Sequence, residues 1–225
     1  MTSVDSLLKP FALLATSAAL ILAGCSGGEA TVTDGAAAAA LEDYLRADDY
    51  ILGDANAPVT VLEYASVACG ACATWHNTVY KELKSQYIDT GKVKYVFRPF
   101  PAADPEMARA GHKLAYCAPR EKFFKNIELQ FDRQQQIATM LRNREGRKAY
   151  VSLAKASGLS EAEFASCLQD PAIEERYKAD TQAGYDMGVT GTPTIFVNGV
   201  KLSGNSLADI EAASPLLGAS ADASE

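Results

Sequence analysis

The stretch EYASVACGACATWHNTVYKEL, residues 63–83, contains two cysteines, Cys69 and Cys72, separated by two residues. The residues that lead into it, APVTVLEYA (57–65), are apolar and β-branched and predict a short buried strand. Beyond the cysteines, apolar side chains recur every four positions, which predicts a helix over residues 70–90. The sequence therefore places a Cys-x-x-Cys motif at the junction between a strand and a helix.

This position predicts redox chemistry for the two cysteines. A helix N-terminus carries unpaired N–H groups and the positive end of the helix dipole, so it stabilises Cys69 as a thiolate, the form that attacks disulfides. Cys72 lies one turn into the helix, where it is less exposed and can close a disulfide with Cys69 or release a bound partner. Gly70 and Ala71, between the cysteines, are candidate substrate contacts.

Two other roles for the motif stay open on the residues alone. Cys69, Cys72 and His76 could supply three metal ligands, although no fourth is evident and the chain lacks a second Cys-x-x-Cys or a histidine pair. A purely structural disulfide is the other alternative, but so small a loop constrains the unfolded chain little.

Composition limits the class of protein. The chain has 225 residues, is 48% apolar and carries a formal net charge of −7, which suits one domain or a domain with an insertion. An acidic balance without a Lys/Arg cluster argues against a nucleic-acid groove. The one basic run, residues 142–148, is interrupted by Glu145 and is predicted to be a solvated helix end.

The remaining signals alternate between strand and helix. KVKYVFRPFP (92–101) predicts a second strand that prolines end. Residues 103–187 carry helical patterns with polar breaks, and Ser160 and Glu163 have the spacing of a capping box.

The chain closes with a hairpin and a helix. Residues 194–197 and 200–202 are predicted to pair as strands through the two-residue turn Asn198-Gly199. Residues 205–217 predict a last helix.

The N-terminus has the pattern of an export signal. A polar start with Lys9 precedes an apolar stretch too short to cross a bilayer. The sequence Leu-Ala-Gly-Cys that ends at Cys25 resembles the lipobox of bacterial lipoproteins, which predicts a lipidated Cys25. An ordinary cleaved signal that happens to contain a cysteine is the alternative.

The number of cysteines agrees with export. Of the five cysteines, a lipidated Cys25 leaves four, Cys69, Cys72, Cys117 and Cys167, which form two pairs naturally. Exported bacterial proteins meet an oxidising compartment, where cysteines are usually paired unless they react.

Residues 50–217 resemble the DsbA-like branch of the thioredoxin superfamily, a group of exported thiol:disulfide oxidoreductases. Three separated features carry the resemblance: the Cys-x-x-Cys at the strand–helix junction, the Thr-Pro of GVTGTPTIFVNG (188–199), and the helical segment between them. The resemblance implies an α/β thioredoxin fold with a helical insertion domain. The expected divisions are a lipoprotein-type signal peptide (1–24), a flexible tether (25–49), the first part of the core (50–102), the insertion (103–187), the second part of the core (188–217) and a disordered tail (218–225).

The resemblance also implies roles for residues outside the motif. Pro193 is expected in cis and facing Cys69, and the backbone of Thr192 is expected to pair with an extended substrate. Glu63 occupies the position of a buried carboxylate beneath the dithiol, which makes it a candidate proton relay for Cys72. It shares one strand face with Val59 and Val61, where burial is costly without a partner or a task. A solvent-facing glutamate at the strand end is the alternative.

Other positions are expected to be structural. Cys117 and Cys167 match the second, non-catalytic disulfide of many relatives, with two free buried thiols as the alternative. Trp75 is expected to pack on the helix, and His76 to be an exposed helix residue. The Gly70-Ala71 dipeptide departs from the Pro-His that is common in DsbA-type oxidases, which leaves oxidising strength open.

The function expected from these features is that of a periplasmic or cell-envelope thiol:disulfide oxidoreductase, tethered to a membrane and acting as a dithiol oxidase. It needs no cofactor and no metal. Its expected partners are exported proteins with free thiols or disulfides and a membrane redox partner that resets the dithiol. The alternative is a thioredoxin-fold lipoprotein that carries copper or holds a client protein without turnover.

Overall fold

The computed structural model describes residues 44–218. The predicted signal peptide, Cys25, most of the predicted tether and nearly all of the predicted tail lie outside the described residues.

A single five-stranded sheet forms the centre of the described chain, in the order β1-β3-β2-β4-β5. Strands β2 and β3 are parallel, with Glu63 opposite Phe97, while the other neighbours are antiparallel. Every residue of β2 is buried, as expected of a strand covered on both faces. The strands are β1 (Ile51–Leu52), β2 (Val59–Ala65), β3 (Val93–Pro99), β4 (Thr194–Val197) and β5 (Val200–Lys201).

The helix that follows the cysteine motif is continuous but not uniform. It runs as α1 (Gly70–Trp75), a π-helical segment (His76–Tyr80), α2 (Lys81–Leu83) and a second π-helical segment (Lys84–Ile88). The helix ends at Ile88, and the turn after it contains Gly91, whose φ of 74° is a conformation that glycine adopts without strain. Its buried positions are Cys72, Trp75, His76, Tyr80, Leu83, Tyr87 and Ile88.

Six helices fill the predicted insertion. Asp104, Ser160 and Asp170 cap three of them with their side chains, and the predicted capping box of Ser160 and Glu163 is confirmed. The helices are α3 (Pro105–Cys117), α4 (Phe123–Asp132) after a 3₁₀ turn (Arg120–Lys122), α5 (Gln134–Arg142), α6 (Gly146–Ala156), α7 (Glu161–Leu168) and α8 (Pro171–Asp186).

The predicted hairpin is confirmed, with β5 ending at Lys201. Asn198 and Gly199 have φ values of 47° and 77°, as a type I′ turn requires. The last helix was expected to be single, but it is divided into α9 (Leu207–Ala212) and α10 (Pro215–Gly218). The division falls before Pro215, because proline lacks an N–H group and disfavours helical geometry in the preceding residue.

Different groups of side chains pack against the two faces of the sheet. On one face, β-strand side chains such as Val61 and Ile195 pack with Cys72, Trp75 and α4 residues such as Phe131. The opposite face carries Leu62, Tyr64, Val96, Phe100, Val189 and Phe196. The insertion has its own small core of Met107, Leu114, Ile137, Tyr150, Leu153, Ala154 and Phe164.

The prediction of a flexible tether as far as residue 49 is wrong for its last residues. Asp49 is only 3% exposed and receives two hydrogen bonds from the Arg98 side chain, at 2.6 and 2.9 Å. Arg98 also donates to the Tyr44 carbonyl oxygen at 2.6 Å, and Arg46 forms an ion pair with Asp180 of α8. The packed part of the described chain therefore includes residues before Tyr50, because a buried arginine on β3 requires acceptors that this segment supplies.

Candidate functional site

Cys69 is the N-cap residue of α1, with extended backbone angles. Its N–H donates to the Ser66 carbonyl oxygen at 2.9 Å, and its partly exposed thiol donates to the Thr192 carbonyl oxygen at 3.5 Å. The Cys72 thiol, by hydrogen bonding to the Cys69 sulfur, is the largest cause that lowers the pKa of Cys69 to about 5. Hydrogen bonds from the backbone amides of Ala71 and Cys72 act in the same direction.

Cys72 has the opposite environment. It is fully buried, and both Cys69 and Cys72 are free thiols, so the structure represents the dithiol form. Burial raises the pKa of Cys72 far above its usual value, and the nearby Glu63 charge adds to the shift. Cys69 thus has the properties of an attacking thiolate, and Cys72 those of a buried, protonated resolving thiol.

The loop before β4 faces the attacking cysteine. The Thr192–Pro193 peptide bond is cis, and the Thr192 carbonyl oxygen is the one that Cys69 contacts. An open groove of about 390 Å³ beside it is lined by residues 190–195 and 201–205. Gly70 and Ala71 are exposed at the start of α1. The structure therefore brings Cys69, Thr192 and Pro193 together next to a groove.

Glu63 is completely buried on the face of β2 that supports α1. Its Oε2 accepts a short hydrogen bond from the Tyr95 hydroxyl and lies 2.9 Å from His76 Nε2. Its Oε1 is buried without a hydrogen-bond partner among the described residues. The alternative of a solvent-facing glutamate is therefore excluded by the structure.

The expectation that His76 is exposed is wrong. Its side chain is 4% exposed, stacks on Phe131 with ring centroids 4.1 Å apart, and bonds to Glu63. His76 lies four residues after Cys72, so the two share the inner face of the helix. That spacing was a signal for burial, since Cys72 had already been predicted to point inward. Trp75 packs inside as expected, and its Nε1 donates to the Asn205 carbonyl oxygen at 2.6 Å.

A second residue at the site was not predicted. Gln134, at the start of α5, is 5% exposed, and its Nε2 donates to the carbonyl oxygens of Val67 and Cys69 at 2.8 and 2.9 Å. It joins the insertion directly to the active-site turn. Nothing in the run Arg133-Gln134-Gln135-Gln136 distinguishes this glutamine from its exposed neighbours, so no sequence signal could have selected it.

Cys117 and Cys167 are joined in a disulfide that links the end of α3 to the end of α7 across 50 residues. It lies within the insertion, separate from the cysteine motif. Among residues 44–218, no group of three or more His, Cys, Asp or Glu side chains is placed to hold a metal ion. Within the same range, no helix is both long and apolar enough to cross a membrane.

The chain belongs to the thioredoxin family, whose model matches residues 46–213. Solved structures of DsbA proteins superpose on it, and this similarity confirms the predicted thioredoxin fold with a helical insertion. The α-DsbA1 of Wolbachia pipientis superposes with a TM-score of 0.68 at 28% identity, over 77% of this chain and 93% of that one. BdbD from Bacillus subtilis superposes with a TM-score of 0.64 at 20% identity, over 73% and 90%.

Relatives by sequence point in the same direction. A Rickettsia bellii protein with the provisional name of a protein-disulfide oxidoreductase is 32% identical over 167 residues, which are 74% of this chain and 63% of that protein. A protein of Rickettsia typhi with a similar name is 35% identical over 170 residues, 74% of this chain and 60% of that protein. The chain thus spans about three fifths of the length of these curated relatives.

Proposed function

We propose that this protein is a thiol:disulfide oxidoreductase that works as a dithiol oxidase on exported proteins. The proposal rests on the contrast between the two motif sulfurs. Cys69 has a pKa lowered to about 5 and lies beside a groove, whereas Cys72 is buried and its raised pKa keeps it protonated. A dithiol with one reactive thiolate and one protected thiol is the arrangement that thiol–disulfide exchange uses. The names of the relatives support the same class of reaction.

The proposed reaction starts from the Cys69–Cys72 disulfide. A client thiolate attacks the Cys69 sulfur, a client–Cys69 bond forms, and Cys72 leaves as a thiolate that takes up a proton. A second client thiolate then attacks the sulfur of the first client cysteine, so that the client gains a disulfide and Cys69 leaves as a thiolate. The client loses two electrons and the enzyme dithiol gains them, and a membrane redox partner with an oxidising cofactor or disulfide removes them again.

Five further residues have proposed roles in this cycle. Thr192 offers its backbone to an extended client segment, while Pro193, Gly70 and Ala71 form the surface around Cys69. Glu63 exchanges a proton with Cys72, a role supported by its buried, unpartnered Oε1. The Cys117–Cys167 disulfide is proposed to brace the insertion without taking part in turnover.

The place of action is proposed to be the periplasm or cell envelope, with the mature chain lipidated at Cys25. The lipobox-like sequence before Cys25 supports this assignment. Mass spectrometry of the protein expressed from its own leader should find a lipid on an N-terminal Cys25, and Cys25→Ala should change its processing. A mature form that begins at another residue would rule out the anchor.

The assignment of roles within the motif is tested by trapping. Cys72→Ser retains the Cys69 thiolate but removes the resolving thiol, so mixed disulfides with clients should accumulate on Cys69. Non-reducing gels of the exported variant should show adducts that disappear in the matched Cys69→Ser protein. Equal trapping by Cys69→Ser would reverse the roles.

The direction of the reaction, oxidation or reduction of clients, is tested by the redox potential of the Cys69–Cys72 pair. Because Ala71 replaces the histidine that would support the thiolate, we expect a potential between those of thioredoxin and DsbA, about −270 and −120 mV. Equilibration with glutathione, followed by mass-tagging of the free thiols, measures it. A potential at or below the thioredoxin value would indicate a reductase instead of an oxidase.

A further inference from the structure

We propose that His76 and Glu63 form a proton path that connects Cys72 to a solvent pocket between the motif helix and α4, a pocket that shares no lining residue with the groove beside Thr192. The proposal rests on the proposed thiol–disulfide exchange and adds to it a residue, a route and an exit. It starts from a chemical requirement. Cys72 must gain a proton when it leaves and lose one when it attacks, yet it is fully buried and bulk water cannot reach it.

The first link is the contact between Glu63 and His76. Glu63 Oε2 and His76 Nε2 are 2.9 Å apart, and both side chains are almost completely buried. The Tyr95 hydroxyl donates to the same Oε2, which leaves the buried Oε1 as the free acceptor of Glu63. Glu63 shares its face of β2 with Val61, which packs in the same buried cluster as Cys72, and the Glu63 charge is one of the causes that raise the pKa of Cys72.

The second link is a pocket of about 160 Å³ at the surface. His76 forms part of its wall, and the ring is held between Tyr80 and Phe131, with centroid distances of 4.5 and 4.1 Å. His76 Nδ1, the nitrogen not bonded to Glu63, is buried without a partner among the described residues, so the relay requires a water molecule to enter from the pocket and reach it. An imidazole bonded to a carboxylate through one nitrogen, in the wall of an open pocket, is the geometry of a proton relay.

The pocket lies between helices, not beside Cys69. Its walls come from the helix of the motif and from α4, whereas the client groove is formed by residues 190–195 and 201–205. A client bound over Cys69 would therefore leave this exit open. The titratable groups around His76 are Glu63 on β2, Tyr95 on β3, Tyr80, Lys81 and Lys84 on its own helix, and Glu128 and Asp132 on α4.

The transfers balance in both half-reactions. When Cys72 leaves as a thiolate, His76 Nδ1 takes a proton from water in the pocket, the Nε2 proton passes to Glu63, and Glu63 protonates the Cys72 sulfur. When Cys72 attacks a disulfide on Cys69, its proton returns through Glu63 to Nε2 and Nδ1 releases one to water. One proton is moved in each direction per cycle, and the imidazole returns to its starting tautomer.

The test isolates the step in which Cys72 acts. The reduced protein is converted to a mixed disulfide between Cys69 and glutathione, and release of glutathione by Cys72 is followed by rapid quenching across pH. His76→Gln retains a donor to Glu63 but cannot relay a proton, so we expect release to slow by about 10- to 100-fold. Alkylation of the Cys69 thiolate by iodoacetamide should stay within about twofold of wild type, since that reaction does not involve Cys72.

Chemical rescue distinguishes a proton relay from a residue that only packs, because added imidazole would not restore lost packing. Free imidazole is small enough for the pocket, so it should accelerate release in His76→Ala, and a series of substituted imidazoles should give rates that follow their pKa values. Asn77→Ala, in the same pocket wall but without contact to Glu63, should match wild type and show no response to imidazole.

The outcomes separate this inference from the proposed function. If wild type releases glutathione through Cys72 but folded His76→Gln does so at the same rate, or His76→Ala gains nothing from imidazole, the relay is wrong and thiol–disulfide exchange stands. If wild type itself does not release glutathione, the proposed function fails. Should His76→Ala not fold, the His76→Gln rate and its pH profile still decide.

Discussion

At the scale of single residues, environment makes two identical thiols chemically opposite. Cys69 caps a helix and receives hydrogen bonds from the Cys72 thiol and from two backbone amides, all of which stabilise its charged form. Cys72 is enclosed by apolar side chains above the Glu63 carboxylate, which stabilises its neutral form. The same burial gives Glu63 and His76 a contact that water does not weaken.

The Cys69 thiolate can be measured directly. In the reduced protein its ultraviolet absorbance should be half-titrated near pH 5, and nucleophilic reactivity should fall below that pH as the thiolate is protonated. Cys72→Ala removes the S–H donor, and a hydrogen bond to a charged group contributes about 1.5–3 kcal/mol, so the Cys69 pKa should rise by about one to two units.

The matched variant is Cys72→Ser, which keeps a donor of similar position. Its Cys69 pKa should stay closer to that of wild type. Equal pKa values in the Ala and Ser variants would show that the amides at the start of α1, and not the Cys72 thiol, hold the thiolate.

At the scale of secondary-structure elements, α5 is the element of the insertion that holds the active-site turn. The two hydrogen bonds from Gln134 satisfy the carbonyl groups of Val67 and Cys69 in an interior region. The Cys69 carbonyl oxygen also accepts from the Ala73 N–H, so it would keep one donor without Gln134, whereas the Val67 carbonyl oxygen would lose the side-chain donor that Gln134 supplies. The insertion thereby supports the turn from which Cys69 acts.

Removing this support should cost stability. Gln134→Leu should lower the free energy of unfolding by about 2 kcal/mol, because buried carbonyl groups lose their donor. Urea denaturation measures the loss. Gln135→Leu, at the exposed neighbouring position, is the control and should change stability by less than about 0.5 kcal/mol. Equal effects at both positions would mean that the contact with the turn contributes nothing.

At the scale of the whole molecule, covalent and ionic links join parts of the described chain that are far apart in sequence. The Cys117–Cys167 disulfide joins two insertion helices, and the pairs Arg98–Asp49 and Arg46–Asp180 fasten the segment before β1. His112, on α3, is fully buried, and neither of its ring nitrogens has a partner among the described residues.

The disulfide should contribute stability but not turnover. Replacing Cys117 and Cys167 together with alanine should lower the free energy of unfolding by about 4 kcal/mol on the loop-entropy model for a loop of this length. Exchange with a small disulfide peptide should remain close to the wild-type rate under conditions where the variant is folded. Loss of exchange without loss of stability would make the pair a redox relay.

His112 should make stability depend on pH. Burial lowers the pKa of His112 to about 3, so below its ordinary value of about 6.5 the unfolded chain binds a proton that the folded chain does not. The contribution of neutral His112 to the free energy of unfolding is therefore fully present above pH 6.5 and is lost as the pH drops towards 3. Between pH 6.5 and 5 the loss should be about 2 kcal/mol.

His112→Leu should remove that pH-dependent loss, since leucine does not titrate. Urea denaturation at pH 6.5 and pH 5 measures it in both proteins. Both proteins are measured with the Cys69–Cys72 disulfide formed, because the Cys69 thiol, with a pKa of about 5 in the reduced protein, would add its own pH dependence in this window. An unchanged slope in His112→Leu would contradict the assignment.

The sequence by itself determined the fold class and the position of the Cys-x-x-Cys motif between a strand and a helix. The strand before the motif, the capping box at Ser160 and the Asn198-Gly199 turn are local signals, because each depends on residues close together in the chain. The N-terminal position of Cys69 on a helix was likewise a local inference. The resemblance to the DsbA-like branch added the thioredoxin core with its helical insertion, and the roles of the two cysteines stay predictions.

Only the tertiary structure decided which polar side chains lie inside. Asp49 is buried because Arg98, 49 residues later, requires an acceptor, and Gln134 is bound because the turn at Val67 presents carbonyl groups to it. His76 is enclosed by Phe131 of α4, and its bond to Glu63 crosses from helix to strand. Burial of a polar group is set by what packs against it from distant parts of the chain, and that information is absent from local pattern.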